Sequence, residues 1–194
     1  MATGSEQERV FAAIAVKGAA QQCLAAWSAQ MQQHYAFRKW TDSADLHITL
    51  QFYGDVDRAY LPELSQTLTA AVSAHTPFTL ELGAVGSFGL PARPRVLWID
   101  PAGDRHALMS LQSDIVRACA AIGYQAEQRS YHPHITIARK YADTEPIKPL
   151  VFDEIEWQHP NWCVQSVVLY CTRVGSIPMY EAAGHFPLIG DGIL

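Results

Sequence analysis

The tetrapeptide His47-Ile48-Thr49-Leu50 returns later in the chain as His134-Ile135-Thr136-Ile137. Each copy alternates polar and apolar residues, which is the pattern of a β-strand with one face in a core. In a chain of this composition with eight histidines, chance would give about 0.2 such tetrapeptides. The repeat therefore predicts two similar strands, each with aliphatic residues on the core face and a histidine and a threonine on the opposite face.

The elements expected around the two motifs follow one order, in which a strand and a helix precede each motif strand. Hydrophobic periodicity predicts helices at residues 19–34, 57–74 and 104–122, and strands at 9–16, 46–53, 78–82, 95–99, 132–139, 164–172 and 179–188. Glycine and proline predict loops at 86–94 and 141–149. The repeated order indicates an internal duplication and favours an α+β fold whose helices back antiparallel sheets.

The composition is that of an ordinary folded protein, with 194 residues, 49% of them hydrophobic, and a formal net charge of −5. A protein that follows a long polyanion usually has a strong basic excess, so we expect nucleic acid to be bound locally, at a terminus or as a short oligonucleotide. No apolar run approaches the roughly 18 residues of a membrane span, and residues 1–9 lack the features of a secretory signal. We therefore expect a cytoplasmic protein with four reduced, buried cysteines.

Two imidazoles that face each other across a cleft suit displacement at phosphorus. The ordinary pKa of histidine, about 6.5, allows one ring to be neutral while its partner is protonated near neutral pH. The attacking and leaving oxygens lie on opposite sides of the phosphorus, so one histidine can take a proton while the other gives one. The threonine hydroxyls can donate hydrogen bonds to the non-bridging oxygens. The spacing does not distinguish the proton donor, His47 or His134, from the acceptor.

Arg139 lies five residues after His134 and offers a fixed positive charge at the end of the same predicted strand. On a regular strand it would face away from His134, because residues an odd number apart point to opposite faces. Its participation therefore requires a bulge or a strand end. A surface or structural ion pair is the alternative role for this arginine.

The residues around both motifs resemble those of the 2H phosphoesterase superfamily, in particular the bacterial RNA 2′,3′-cyclic phosphodiesterases, also called 2′-5′ RNA ligases. The most specific match is Tyr131 to Arg139, and nearly the whole chain takes part, with further matches at 9–14, 46–56, 95–98, 168–170, 180 and 186–188. The resemblance implies one domain over residues 1–194 with a bilobal α+β fold. Two pseudo-symmetric lobes of antiparallel sheet, each backed by helices and contributing one motif, would enclose a central cleft.

The same resemblance implies an activity without a metal or other cofactor. RNA 2′,3′-cyclic phosphate termini would be hydrolysed to 2′-phosphomonoesters, with His47 as proton donor and His134 as proton acceptor. Thr49, Thr136 and Arg139 would hold the phosphate. Microscopic reversibility would allow ligation of a 5′-hydroxyl RNA end through a 2′-5′ linkage without ATP, in agreement with the absence of a P-loop sequence.

Contacts to the rest of the substrate are predicted from residues close to the motifs. Tyr131, His132 and Phe52 are candidates to stack on a base or to support the catalytic groups. The aromatic Trp40 and Tyr53 and the basic Arg38, Lys39, Arg93 and Arg95 are further candidates. We expect the partners to be RNA 3′ termini or short oligonucleotides, with no membrane and no obligatory protein partner, and we expect a monomer.

Three alternatives stay open at this point. The substrate can instead be a small cyclic nucleotide or a 2′-5′ oligonucleotide. His47, His132 and His134 can form a three-histidine zinc site that activates a water molecule. The chain can also be a non-catalytic module that binds a phosphate, although arginine and lysine, which stay charged, serve that purpose better than histidine.

Overall fold

Antiparallel strands and three helices make up the computed structural model, which describes residues 6–142, 146–147 and 160–190. The strands are β1 (Gln7–Ala15), β2 (Phe37–Trp40), β3 (His47–Asp57), β4 (Phe78–Leu90), β5 (Arg93–Gly103), β6 (Ile135–Tyr141), β7 (Asn161–Val164), β8 (Ser166–Thr172) and β9 (Tyr180–Pro187). The helices are α1 (Gly18–Met31), α2 (Leu61–Ser73) and α3 (Arg105–Ala121), with short 3₁₀ helices at Ser43–Asp45 and Arg58–Tyr60. The predicted α+β fold class is confirmed.

The two motif strands, β3 and β6, are neighbours in the middle of the sheet. Its strand order is β7-β4-β5-β6-β3-β1-β8-β9, and β2 pairs with β6 on the edge opposite β5, beyond the residue that pairs with β3. One lobe consists of β1, β3, β8 and β9, and the other of β2, β4, β5, β6 and β7. The two lobes meet where Ile48 of β3 pairs with Ile135 of β6.

The core lies on the face of the sheet that carries the aliphatic residues of the motifs. Ile48, Leu50, Ile135 and Ile137 are all at most 2% exposed, as their alternation predicts. Each such side chain contributes about 1.5–3 kcal/mol to folding by leaving water. The helices cover this core through apolar residues at three- and four-residue spacing, which are Leu64, Leu68 and Val72 of α2 and Leu108, Leu111, Ile115 and Cys119 of α3.

The helices are divided between the two lobes. α2 packs against α3 and against β8 and β9, and α3 also contacts β3. α1 contacts β7, in the other lobe. The helix that follows β1 in the sequence therefore packs on the lobe to which β1 does not belong.

The prediction of a loop at residues 86–94 is wrong. β4 and β5 continue through this segment as a hairpin, with Pro91 and Ala92 at its turn. Gly86 serves packing instead of a turn, because it lies opposite Trp98 and a Cβ atom there would lie 2.3 Å from the indole ring. β3 likewise runs beyond its predicted end, through Gly54, whose φ of 76° a glycine adopts without strain.

Some other elements also differ from their predictions. β2 and β7 were not predicted, since four residues are too few to show a clear period. β6 begins at Ile135 instead of residue 132. Parts of the loop predicted at 141–149 lie outside the described residues. All four cysteines are free, but Cys163 is exposed and Cys23 is only partly buried. None of the described helices has the length and apolarity needed to cross a membrane.

Candidate active site

The pairing of β3 with β6 brings the four polar residues of the two motifs together. Ile48 is opposite Ile135 in an antiparallel register, which sets His47 opposite Thr136 and Thr49 opposite His134. The two histidines are thus diagonal neighbours, for which Cα atoms lie about 7–8 Å apart. The alternation of the strands places all four side chains on the face of the sheet opposite the core.

Each motif strand contains a bulge three residues after its histidine. In β3, Leu50 is an extra residue relative to β1, because Ala13 pairs with Thr49 and Ala12 with Gln51. A bulge reverses the alternation of the residues beyond it. Gln51 therefore turns into the protein, where its amide donates to the carbonyl of Tyr124. Phe52 turns to the cleft face, where it stacks on Phe11 with ring centroids 5.2 Å apart.

The second bulge lies at Ile137 of β6, because Trp98 pairs with Thr136 and Leu97 with Ala138. It returns Arg139 to the face that carries Thr136, and Nη2 of Arg139 donates to Oγ1 of Thr136 over 3.2 Å. The structural condition for the participation of Arg139 is therefore met. Phe52 and Arg139 occupy equivalent positions, each five residues after its histidine.

Backbone carbonyls fix the orientation of both imidazoles. Nδ1 of His47 lies 2.6 Å from the carbonyl oxygen of Asp45, and Nδ1 of His134 lies 2.8 Å from that of His132. A carbonyl oxygen only accepts hydrogen bonds, so Nδ1 carries the proton in both rings. Nε2 of each ring is left to exchange a proton with a substrate.

Aromatic side chains that the sequence analysis missed surround both histidines. Phe11 lies 4.9 Å from the ring of His47, and the edge-to-face contact of Tyr180 with His47 is at 5.1 Å. Phe88 makes an edge-to-face contact with His134 at 5.0 Å. The alternation of β1 offers a signal for Phe11, because Val10 and Ala12 face the core. Phe88 and Tyr180 depend on the β4–β5 and β8–β9 pairings.

Burial dominates the electrostatics of both histidines. Burial lowers the pKa of His47 to about 4, although the hydrogen bond to the Asp45 carbonyl and the negative charge of Asp45 act to raise it. Burial also lowers the pKa of His134, which the hydrogen bond to the His132 carbonyl opposes. The positive charge of Arg139 lowers the pKa of both. One guanidinium thus acts on both imidazoles, and both are mainly neutral at pH 7.

A cavity of about 720 Å³ opens beside His47. Thr136 and Arg139 also line it, whereas Thr49 and His134 do not. Its far walls come from α1, β2 and the turn between β8 and β9, and include Arg38, Lys39, Trp40, Ser176, Ile177, Met179 and Tyr180. Nζ of Lys39 donates to the sulphur of Met179 over 3.3 Å, which links two of these walls. The cleft is asymmetric in this respect, because the cavity adjoins His47 and not His134.

The remaining candidate residues have different positions. The hydroxyl of Tyr131 donates to the carbonyl of Thr49 over 2.9 Å, so Tyr131 supports the first motif strand. His132 packs edge-on against Trp98 at 5.1 Å. Phe52 is 48% exposed and is free to stack on a base. Tyr53 lies 3.4 Å from the thiol of Cys119, on the core side. Arg93 and Arg95 lie on β5, outside the cavity.

The described part of the chain has no group of three or more His, Cys, Asp or Glu side chains arranged to hold a metal ion. His132 and His134 have ring centroids 6.4 Å apart, and both rings pack on Phe88. A three-histidine zinc site would need the reactive nitrogens of these two rings and of His47 to converge on one point. Their arrangement does not favour that alternative.

Comparisons with known proteins agree with this fold. A family model described as the 2′-5′ RNA ligase superfamily matches residues 19–175. The RNA 2′,3′-cyclic phosphodiesterase of Geobacillus stearothermophilus is 32% identical over 185 residues, which are 95% of this chain and 59% of that protein. That of Bacillus subtilis is 31% identical over 152 residues, 78% of this chain and 81% of that protein.

A solved structure supports the same assignment. The structure of E. coli LigT complexed with 3′-AMP matches with a TM-score of 0.74 and 25% identity, and the match covers 94% of this chain and 99% of LigT. The family model spans both histidine motifs, and the structural match spans both lobes. The chain belongs to the 2′-5′ RNA ligase superfamily of 2H phosphoesterases, as its two motifs predicted.

Proposed function

We propose that this protein hydrolyses RNA 2′,3′-cyclic phosphate termini to 2′-phosphomonoesters without a metal ion, with His47 as the acid and His134 as the base. The relatives named above are RNA 2′,3′-cyclic phosphodiesterases, and LigT was crystallised with a 3′-nucleotide. The observation that carries the proposal is the antiparallel pairing of Ile48 with Ile135. It sets two imidazoles, both anchored through Nδ1, at opposite corners of one patch of the cleft.

The reaction uses these groups in a single in-line displacement. Arg139, Thr49 and Thr136 hold the non-bridging oxygens of the cyclic phosphate. Nε2 of neutral His134 takes a proton from a water molecule, whose oxygen bonds to phosphorus as the bond to the 3′ oxygen breaks. Protonated His47 gives its Nε2 proton to that 3′ oxygen. The products are a 2′-phosphomonoester and a free 3′-hydroxyl, and the two histidines return to their starting states by proton exchange with water.

The substrate itself is needed to bring His47 into its reactive, protonated state. Because burial lowers the pKa of His47 to about 4, few free molecules carry a proton on this ring at pH 7. A bound cyclic phosphate brings one negative charge next to the imidazole, and an opposite charge at this distance raises the pKa of a histidine. Binding of the substrate therefore protonates the acid at the moment when it is needed.

The asymmetry of the cleft supports this assignment of acid and base. The leaving 3′ oxygen belongs to the nucleoside, so the nucleoside must lie on the side of the acid. The cavity of about 720 Å³ opens on the His47 side. Water reaches the opposite side of the phosphorus, where His134 lies.

The same cavity favours the end of an RNA chain over a small cyclic nucleotide. Its wall contains Arg38 and Lys39 of β2, and Arg38 makes no ion pair with any residue that the structure describes. An unpaired guanidinium on the wall of a cavity suits the phosphate that joins the terminal nucleotide to its neighbour. Small cyclic nucleotides and 2′-5′ oligonucleotides are the alternative substrates, and dependence on chain length separates them from RNA ends.

The test is incubation of the purified protein, in excess EDTA, with an oligonucleotide that ends in a 2′,3′-cyclic phosphate. We expect a 2′-phosphomonoester as the product. Loss of activity in EDTA would support the metal-dependent alternative, and a 3′-phosphate would contradict the proposed departure of the 3′ oxygen. Binding without turnover would identify a phosphate-binding module instead.

Ligation can use the same groups in the same displacement. With an RNA 5′-hydroxyl in place of water, His134 takes the proton of that hydroxyl and a 2′-5′ linkage forms without ATP. We expect hydrolysis to dominate because water is far more concentrated than any RNA end. Incubation of the cyclic phosphate with an excess of a 5′-hydroxyl oligonucleotide measures the ratio. Monomeric state and cytoplasmic location stay predictions, to be checked by sedimentation and cell fractionation.

A further inference from the structure

The two catalytic histidines have the same backbone anchor but different side chains next to it. In both motifs, Nδ1 bonds to the carbonyl of the residue two positions earlier. That residue is Asp45 before His47 and His132 before His134. A negatively charged side chain thus accompanies one imidazole, and a side chain that can only be neutral or positive accompanies the other.

The carboxylate of Asp45 is fixed and shielded from water. Asp45 is 6% exposed. Its Oδ2 accepts a hydrogen bond from the backbone nitrogen of Met179 over 2.7 Å, and its Oδ1 accepts one from that of Tyr180 over 3.0 Å. Both oxygens act as acceptors, as an ionised carboxylate does. Two backbone bonds therefore hold a negative charge next to the ring of His47.

The hydrogen bonds of Asp45 with Met179 and Tyr180 also connect the start of β9 to His47. Tyr180 follows Met179 at the start of β9, and its ring meets that of His47 edge-on at 5.1 Å. Asp45 also ends the short helix Ser43–Asp45, after which β3 begins with His47. One residue thus fixes the ring of His47 through its carbonyl and the tyrosine beside that ring through its carboxylate.

The charged side chains around the two histidines differ in the sign of their charge. Asp45, Arg139 and His134 act on the charge of His47, and Tyr170 and Tyr180 contact its ring. Asp45 is the acidic side chain among them. Arg139 and His132 act on His134, and both disfavour a proton there. The charge pattern therefore favours a proton on His47 more than its deep burial alone would allow.

We propose that Asp45 is a positioning residue that supports His47 as the proton donor, and that His132 at the equivalent place favours His134 as the acceptor. This inference rests on the proposed function, since it explains how two nearly identical motifs take opposite roles. Asp45 borders the cavity beside His47, but backbone nitrogens already occupy both oxygens of its carboxylate. It acts through the orientation of the ring and through its charge.

The experiment compares kcat/KM as a function of pH for the wild type, Asp45→Asn and the matched control Asp57→Asn, with the oligonucleotide cyclic phosphate as substrate. Asp57 lies at the start of the other short helix, Arg58–Tyr60, where its side chain accepts from the nitrogen of Ala59, and it does not line the cavity. A kcat/KM profile reports the pKa values of the free enzyme. Thermal denaturation of each variant shows whether it is folded.

In Asp45→Asn, we expect the limb of the profile that belongs to His47 to move to lower pH, because the loss of a negative charge lowers the pKa of an imidazole. The other limb stays in place. kcat/KM at pH 7 falls by about tenfold for each unit of that shift. Asp57→Asn keeps both limbs at their wild-type positions. A folded Asp45→Asn variant with reduced activity but unmoved limbs would overturn the proposal, since that is the result of a purely structural role.

A second variant tests the equivalent position if Asp45→Asn does not fold. His132→Phe keeps an aromatic ring against Trp98 and removes the positive charge that His132 can carry. We expect the limb of His134 to move to higher pH, opposite in direction to the effect of Asp45→Asn. An unmoved limb, or one that moves to lower pH, contradicts the inference. Absence of turnover in the wild type would instead contradict the proposed function.

Discussion

The two motif regions share their backbone geometry and differ in the side chains that it presents. Both have a carbonyl two residues before the histidine that anchors Nδ1, and a bulge three residues after it. The bulges turn an aromatic residue, Phe52, to the cleft in one region and a cation, Arg139, in the other. Two strands of similar geometry can thus supply symmetric positioning, while a few side chains divide the proposed roles of acid, base, base stacking and anion binding.

We expect the largest loss of activity from replacement of the two motif histidines. Replacement of His47 or His134 by alanine should lower kcat by about 10²–10⁴-fold, the usual contribution of a general acid or base. Binding of a 3′-nucleotide should persist, as measured by calorimetry. The matched control is His106→Ala, on the exposed surface of α3, which should retain wild-type turnover. Full activity in either motif variant would contradict paired catalysis.

The next effect concerns the cation of the second region. Arg139→Ala should lower kcat/KM by about 10²–10³-fold, because a charged donor to the non-bridging oxygens is lost. Arg139→Lys should recover part of this activity, since lysine keeps the charge but loses the planar fork. Arg95→Ala, on β5 outside the cavity, serves as the control in the same assay. Equal effects of Arg139→Ala and Arg95→Ala would assign Arg139 to general surface charge.

Phe52 is the equivalent of Arg139 in the first region. Loss of its ring should weaken nucleotide binding by about 1–3 kcal/mol, the usual value of base stacking on an aromatic side chain, or roughly 5- to 150-fold in KM. Phe52→Trp should keep the binding. Met109→Ala, which removes an exposed apolar side chain of α3, is the control. A KM of Phe52→Ala equal to that of the wild type would show that the base lies elsewhere.

The pH dependence of kcat/KM in the wild type tests whether both imidazoles are buried in the free protein. Because burial lowers the pKa of both histidines, to about 4 for His47, kcat/KM should be highest below pH 6.5. The acid must be protonated and the base neutral, so the activity should fall about tenfold per pH unit on the alkaline side. An optimum above pH 7.5 would contradict the burial of the two imidazoles in the free protein.

The smallest expected effect belongs to the cavity beside His47. Arg38→Ala should lower kcat/KM about fivefold for a cyclic-phosphate oligonucleotide, as expected for one partly exposed ionic contact, and leave a mononucleoside 2′,3′-cyclic phosphate unaffected. Increased salt should reduce the difference. Equal losses on both substrates would place the oligonucleotide backbone outside this cavity.

The alternation of the motifs was enough to predict which of their residues enter the core and which face the cleft. It could not predict the bulges at Leu50 and Ile137, because a bulge depends on the register with a strand distant in sequence. Arg139 was therefore ambiguous, and Phe52 was indistinguishable from a residue on the core side. Phe88 and Tyr180 were missed for the same reason, since each reaches its histidine only through tertiary pairing.

The glycine- and proline-rich segment 86–94 shows a different error, in which local composition predicted a loop where the chain forms strands. Gly86 is required where the indole of Trp98 crosses the neighbouring strand. The sequence alone offers no way to distinguish a glycine that allows a turn from one that allows close packing. β2 and β7 were not predicted because each is only four residues long, too short to show a period.

The proposed mechanism requires two imidazoles from distant parts of the chain to act on one phosphorus atom. A crystal structure of the protein with bound inorganic phosphate would show whether they can. We expect one phosphate whose different oxygens lie about 2.6–3.2 Å from Nε2 of His47 and from Nε2 of His134, with Arg139 on a third oxygen. A phosphate that contacts only one of the two histidines would contradict it.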